Sequence, residues 1–421
     1  MSMVVKHISI FRKLLFTFLS TCLIFTAIEI GSRMLWGTPQ AYLIAPIPSK
    51  NRQFFSIEKG QVLPTYQGEF SIAPFPQKAS KKPRVIFLGG SSIRGGNGIS
   101  NFRDEMPAIL EERLGIEALN LAAPGLDSSH LLAMMPEVLA LQPAAIVLYT
   151  GHNDRGNAVF YNRYGSKSRA FFAELRGWLG GLKTFQLLEA NMSRREYFPL
   201  PDAETEGLYN VSPQQAEEVR VQFESRLRRI LRMAKKEGIP MVVSTVISNP
   251  LAPLNTWSCP KALQNLGLST RFFDIPSVDH INQGRIDAQF KLFPECPDIF
   301  WVQGLLYAQE RKAYTMSSKL DEIRDFAKQP VRADRATNQI IQRITKEEKG
   351  WFVDVNQLVR TVGKGIEPSG IFEDAVHFKP VGQKVLAFSV APVLAEAINI
   401  PAPHLPTVHQ IIVQSGEKTP R

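Results

Sequence analysis

Four short segments carry residue types that together would make an acyl-transfer site. The first, VIFLGGSS, ends in Gly89, Gly90, Ser91 and Ser92. Paired glycines permit a tight turn at a strand end and leave a serine hydroxyl at its tip, where a nearby base makes it a nucleophile. A helix N-cap or a phosphate cradle uses similar letters, but the lysine of a phosphate-binding loop is missing. The second segment, NLAAPGLDSSH, puts Gly125 at a turn where a backbone N–H can face a cleft. The third, VLYTGHND, supplies Asn153. Its amide suits a developing oxyanion, and an Asx turn is its commoner use. His152 reads as a packed or loop-orienting residue rather than the base. The fourth, EDAVHFKP, sets Asp374 three residues before His377. There an imidazole can take the Ser91 proton while the carboxylate fixes its tautomer and stabilises the imidazolium. Of 7 histidines, His7, His404 and His409 fall in terminal segments, which leaves His377 the strongest base candidate.

Such residues must be positioned by a scaffold, and the surrounding pattern supplies one. VIFLGG, ALNLA, AAIVLYTG, PMVVSTVIS and WFVDVN are short apolar runs suited to strands covered on both faces. Helical patterns lie between them at 102–114, 129–141 and 213–237, and a last one runs from Pro380 to about Ile398. Ser212, Pro213 and Gln215 open the third and Gly238 ends it. Alternating strands and helices imply an α/β fold, a three-layer parallel sheet with helices on both faces, and all four segments then fall beyond strand C-termini, where such sheets bind ligands. Two inserts interrupt the plan, at 156–211 and 250–345. The first carries Phe171, Phe172, Trp178, Phe185 and Tyr197, read as a helical cover or a lid. In the second, Trp301, Gly304 and Tyr307 loosely resemble one tetratricopeptide-like unit, which cannot bury its apolar face alone and must dock.

In this order, the four segments resemble the SGNH subgroup of the GDSL hydrolase superfamily. The resemblance covers about residues 84–398 outside the inserts. It implies a flavodoxin-like sheet, Ser91 as nucleophile, Asp374 and His377 as its partners, and an oxyanion hole made of the Ser91 N–H, Gly125 and Asn153. Gly90 stands where the family usually has Asp, and Ser92 where it has Leu. Ser91 is preferred to Ser92 because it is the third residue of the block. NLAAPGLDSSHLL, LYTGHND and IRDFAKQPVRADRATNQII narrow the resemblance to bacterial membrane-anchored SGNH-like proteins with tetratricopeptide-like helices. Their GHN segment commonly ends in Glu, where this chain has Asp154. Arg332 and Asn338 lie in the third of these stretches and read as structural pairs rather than cleft residues.

Composition sets the class. The chain has 421 residues, with 44% hydrophobic and 21% charged, which excludes a mostly disordered polymer. Its net charge of +10 is spread along helix faces, as at Arg226, Arg229 and Lys236, and does not point to nucleic acid. Lys6, Arg12 and Lys13 precede an apolar run that begins at Leu14, which predicts an uncleaved N-in anchor at residues 1–37. A cleaved signal peptide and a lipidated Cys22 are the alternatives. A linker at 38–83 with some extended structure, the domain at 84–400 and a polar tail at 401–421 complete the plan. The expected location is a bacterial inner membrane with a periplasmic catalytic domain. Cys259 and Cys296 then lie in the exported part, as a disulfide or as two buried thiols, and 3 cysteines are too few for a four-cysteine zinc site. No cofactor or metal is called for. The expected activity is that of a serine esterase on a small acyl ester; the family and the compartment, rather than any residue, suggest an acetylated glycan. An O-acyltransferase with the same residues and a non-catalytic scaffold of the same fold are the alternatives.

Overall fold

The computed structural model describes residues 2–35, 54–64, 73–95, 102–160, 184, 213–250, 252, 259–268, 278, 280–294, 296–309, 332–363, 367–402 and 404–414. Three short strands come first: β1 (Phe55–Glu58), β2 (Gln61–Pro64) and β3 (Phe75–Pro76), paired antiparallel in that order. They occupy part of the expected linker and bury Phe55, Val62 and Phe75 against the main core. Five strands follow: β4 (Arg84–Gly89), β5 (Glu117–Asn120), β6 (Ala145–Tyr149), β7 (Met241–Ser244) and β8 (Trp351–Val353). Their order is β5-β4-β6-β7-β8 and every pairing is parallel.

β4 and β6 are buried at every position, which is why they read as unbroken apolar runs rather than as alternation. Arg84 is the exception in kind. Its guanidinium is buried and donates to the carbonyls of Pro76, Gln77 and Lys78 and to Glu117, so it fastens the small sheet to the head of β4. Buried charge is tolerable only with such a full set of partners.

Helices Ser128–Ala140, Pro213–Lys236 and Arg335–Glu347 pack together, and Met106–Leu114 packs on Pro380–Ala397. Ala333, Ile340, Ile341 and Ile344 belong to the main core, so the chain has rejoined it by Ala333, twelve residues before the expected end of the second insert. The segment expected as a polar tail instead carries helix Val408–Gln414, because Ile411 and Ile412 find burial on the last long helix.

The second insert has its own apolar cluster, formed by Ala262, Leu263, Leu266, Ile286, Trp301 and Val302 among others. Cys259 and Cys296 are joined there as a disulfide, with Cα atoms 6.0 Å apart. Helix Pro297–Gln309 is described, but the rest of the expected tetratricopeptide-like unit lies outside the described residues, as do Phe171, Phe172, Trp178, Phe185 and Tyr197. The N-terminal helix Ser2–Leu35 contains one stretch, Arg12–Ser32, long and apolar enough to cross a membrane by length and composition. Thr184 of the first insert donates to Glu29 of that helix through its amide at 3.0 Å and its hydroxyl at 2.9 Å.

Candidate active site

The sheet order places β4 and β6 side by side, with chain leaving β4 toward β5 on one side and β6 toward β7 on the other. In doubly wound sheets a crevice opens at that reversal, beyond the strand C-termini. Gly89 ends β4 and Tyr149 ends β6, in register with one another. A Cβ on Gly89 would strike the Tyr149 carbonyl oxygen, so glycine is required for the two strand ends to close up. Ser91 then opens a short helix, Ser91–Arg94, and Asn153 opens another, Asn153–Phe160.

The Ser91 hydroxyl lies 2.7 Å from His377 Nε2, and His377 Nδ1 lies 2.6 Å from Asp374 Oδ2. The other Asp374 oxygen accepts the backbone N–H groups of Val376 and His377, each at 2.8 Å. Burial alone would push the Asp374 carboxyl up. The His377 hydrogen bond and charge, with the two N–H groups, outweigh it and hold the carboxyl down to about 2. An ionised Asp374 keeps the proton on Nδ1, which leaves Nε2 free to accept from Ser91. Ser92 is different: it is 3% exposed, and its carbonyl accepts from Gln383.

Asn153 spends one amide N–H on the Leu126 carbonyl at 2.8 Å. Among the described residues its second N–H and the backbone N–H groups of Ser91 and Gly125 have no protein acceptor. Gly125 has φ +75°, and among the described residues a Cβ there would meet nothing within 4 Å. Asn157 donates to the Gly125 carbonyl at 2.8 Å and to Asp127 at 2.9 Å. Asp154 accepts from the Ser128 amide and hydroxyl. Burial and the charge of Asp127 push the Asp154 carboxyl up. These contacts join the turn holding Gly125 to the helix holding Asn153. Asn157 was not singled out in the sequence; its four-residue spacing from Asn153 is a signal that would have found it.

His152 is buried, and its Nδ1 accepts the Ala333 N–H at 3.1 Å. Burial first, then the charges of His377 and Arg332, drives it down to about 3, so it is neutral at physiological pH. It is a structural neighbour of the site rather than a base. Arg332 donates to the carbonyls of Asn249 and Ala252, and Asn338 exchanges two bonds with the Val246 backbone, both structural pairings. Asn249 in turn donates to the Ala375 carbonyl at 2.9 Å, which supports the turn between Asp374 and His377.

No family model and no curated protein matches the chain. Similar solved structures include TesA, at 14% identity and TM-score 0.35, aligned over 75% of this chain and 99% of TesA. An acetyl xylan esterase, AlAXEase, aligns over 73% of this chain and 97% of its own, at 12% identity and TM-score 0.34. A GDSL-like lipase from Bacteroides thetaiotaomicron aligns over 77% and 92%, at 14% identity and TM-score 0.36. At such identities and scores the likeness adds no functional weight to the geometry.

Proposed function

We propose that this chain is a membrane-anchored serine esterase that cleaves a small acyl ester outside the cytoplasm. The observation that carries the reading is the hydrogen-bonded series from Ser91 through His377 to Asp374. Ser91 Oγ attacks the ester carbonyl as its proton passes to His377 Nε2, and Asp374 steadies the imidazolium that forms. The tetrahedral oxyanion is taken by the Ser91 and Gly125 N–H groups and the Asn153 amide. Collapse expels the alcohol, which takes the proton from His377 and leaves an acyl-Ser91. Water then loses a proton to His377 and attacks the acyl carbon, and the acid leaves as Ser91 regains its proton.

The compartment rests on separate support. Lys6, Arg12 and Lys13 precede the apolar stretch Arg12–Ser32 or sit at its start, which favours an inside N-terminus, and the Cys259–Cys296 disulfide suits an oxidising exterior. An acetyl ester on a glycan is the substrate we favour within the acyl-ester class.

The test is a serine-directed fluorophosphonate probe together with hydrolysis of p-nitrophenyl acetate. We expect stoichiometric labelling and turnover, both lost in Ser91→Ala. Folded protein that neither labels nor turns over would overturn the reading in favour of a binding scaffold.

A further inference from the structure

The contact between Ser91 and His377 joins two loops that are 286 residues apart in sequence. Something must hold them at one distance, and the first turn of helix Pro380–Ala397 meets both. Gly382 lies where a Cβ would collide with the Ile371 carbonyl oxygen and the Phe378 side chain, so glycine lets this turn seat directly on the loop that carries Asp374 and His377. The next residue, Gln383, faces the other loop. Its side-chain Nε2 donates to the Ser92 carbonyl at 2.8 Å, and its Oε1 accepts the Met106 N–H at 3.0 Å.

Gln383 is completely buried. Burying an amide costs stability when its bonds are unmade, and a leucine or methionine would fill similar volume without that risk. The two bonds are therefore what the amide adds. One satisfies the first N–H of helix Met106–Leu114, whose N-cap Glu105 provides no side-chain bond. The other holds the carbonyl immediately after the nucleophile. We infer that Gln383 is a positioning residue for the reaction: it gauges the Ser91–His377 distance by tying the nucleophile's turn to the helix on which the His377 loop is seated. The inference rests on the esterase reading and adds a residue to it. A misplacement of about 1 Å at a reacting group costs on the order of 10²-fold in rate.

The test is the kinetics of fluorophosphonate labelling for Gln383→Met and Gln383→Leu, with Val385→Ala as a control for loosened packing in the same buried helix. The amplitude of labelling reads the folded fraction, and the saturating rate constant reads the geometry within it, so partial unfolding does not hide the answer. We expect the saturating rate constant to fall by roughly 10- to 100-fold in both Gln383 variants, with the half-saturating probe concentration unchanged. Val385→Ala should lose thermal stability but keep the rate constant. Gln383 variants that label at the unsubstituted rate would overturn the positioning role while leaving the esterase reading in place. So would Val385→Ala slowing as much as they do at equal loss of stability. An unsubstituted protein that never labels would remove both.

Discussion

Gly90 and Asn153 fit against one another only because Gly90 has no side chain: a Cβ there would lie 2.6 Å from Asn153 Nδ2. The residue before Ser91, the proposed nucleophile, is thus shaped by the Asn153 amide, the proposed oxyanion donor, just beyond the neighbouring strand end. Gly90→Ala should push the amide off the Leu126 carbonyl and out of line with the reacting carbonyl. We expect kcat to fall by on the order of 10²–10³-fold, as for deleting the amide itself in Asn153→Ala. The double variant should be little worse than either single one, because both remove the same donor. Steady-state kinetics of the three proteins decide this. Additive losses would show that Gly90 acts on something other than Asn153.

Ser91 and Ser92 are neighbours with opposite environments. Ser91 faces His377, whereas Ser92 is buried with its carbonyl held by Gln383. Ser91→Ala should abolish labelling and leave only the small residual turnover that binding and the oxyanion donors supply, down by on the order of 10³-fold or more. Ser92→Ala removes only a hydroxyl, keeps the carbonyl, and should label normally. Mass spectrometry of the probe adduct locates the modified serine. An adduct on Ser92 would reassign the nucleophile.

Much of this was legible in the sequence, for physical reasons that differ from residue to residue. β4 and β6 announced themselves because strands covered on both faces must be apolar throughout, and turn glycines marked where each ended. Asp374 and His377 were legible as a pair because three residues in a turn bring two side chains together whatever the rest of the fold does. Gln383 was not, since its partners are backbone groups on other segments and no local pattern encodes those; Asn157 carried only its four-residue spacing from Asn153, and its partners, the Gly125 carbonyl and the Asp127 carboxylate, come from another segment. The helix Val408–Gln414 was missed because prolines dominate its neighbourhood and only Ile411 and Ile412, docked on the preceding helix, make it worth forming. The small β1–β3 sheet likewise draws its stability from Arg84 and from buried Phe55 and Phe75, contacts that a linker-like composition conceals.

Asp374 is held low by its His377 and backbone partners, so in the proposed cycle it would hold Nδ1–H rather than receive the proton. Asp374→Asn preserves the shape but lets an amide N–H face Nδ1, which favours the tautomer with its proton on Nε2, where Ser91 needs an acceptor. Turnover at neutral pH should drop by on the order of 10³–10⁴-fold, by analogy with the same change in chymotrypsin-like enzymes. Substrate binding should change little, so the loss should sit in kcat and not in KM. A loss confined to KM would count against the assigned role.

The disulfide closes a loop with a sequence separation of 37 around the second apolar cluster. Cross-linking a loop of that size removes about 4 kcal/mol of chain entropy from the unfolded state, as an upper figure. Cys296→Ser should therefore open residues 259–309 to limited proteolysis while the main core, with separate packing, stays resistant. Uniform loss of protection across the chain would mean that the two clusters unfold together.

His152 links the site to acid stability. In the folded protein burial and neighbouring charge drive it down to about 3 from an ordinary 6.5. Below pH 6.5 the unfolded chain takes up a proton that the folded chain refuses until about pH 3. Stability from this group is therefore complete above pH 6.5 and is lost as pH falls through that window. From the neutral plateau down to pH 5 the loss is about 2 kcal/mol, from 1.36 kcal/mol for each pH unit below 6.5. Asp374 has the same sign but acts only below its ordinary 3.8. Asp154 has the opposite sign: its raised carboxyl favours the folded state at low pH, and that gain is lost as pH rises. Both remain in His152→Asn, whose side-chain oxygen can still accept the Ala333 N–H, so the difference between the two proteins isolates His152. Denaturant unfolding at pH 7.5, 6.5, 5.5 and 5.0 should show the variant less stable at the top of the range, from lost packing, with a shallower decline toward acid. Parallel declines in the two proteins would show that the imidazole is not excluded from protonation, and that the neutral state assigned to it beside His377 is wrong.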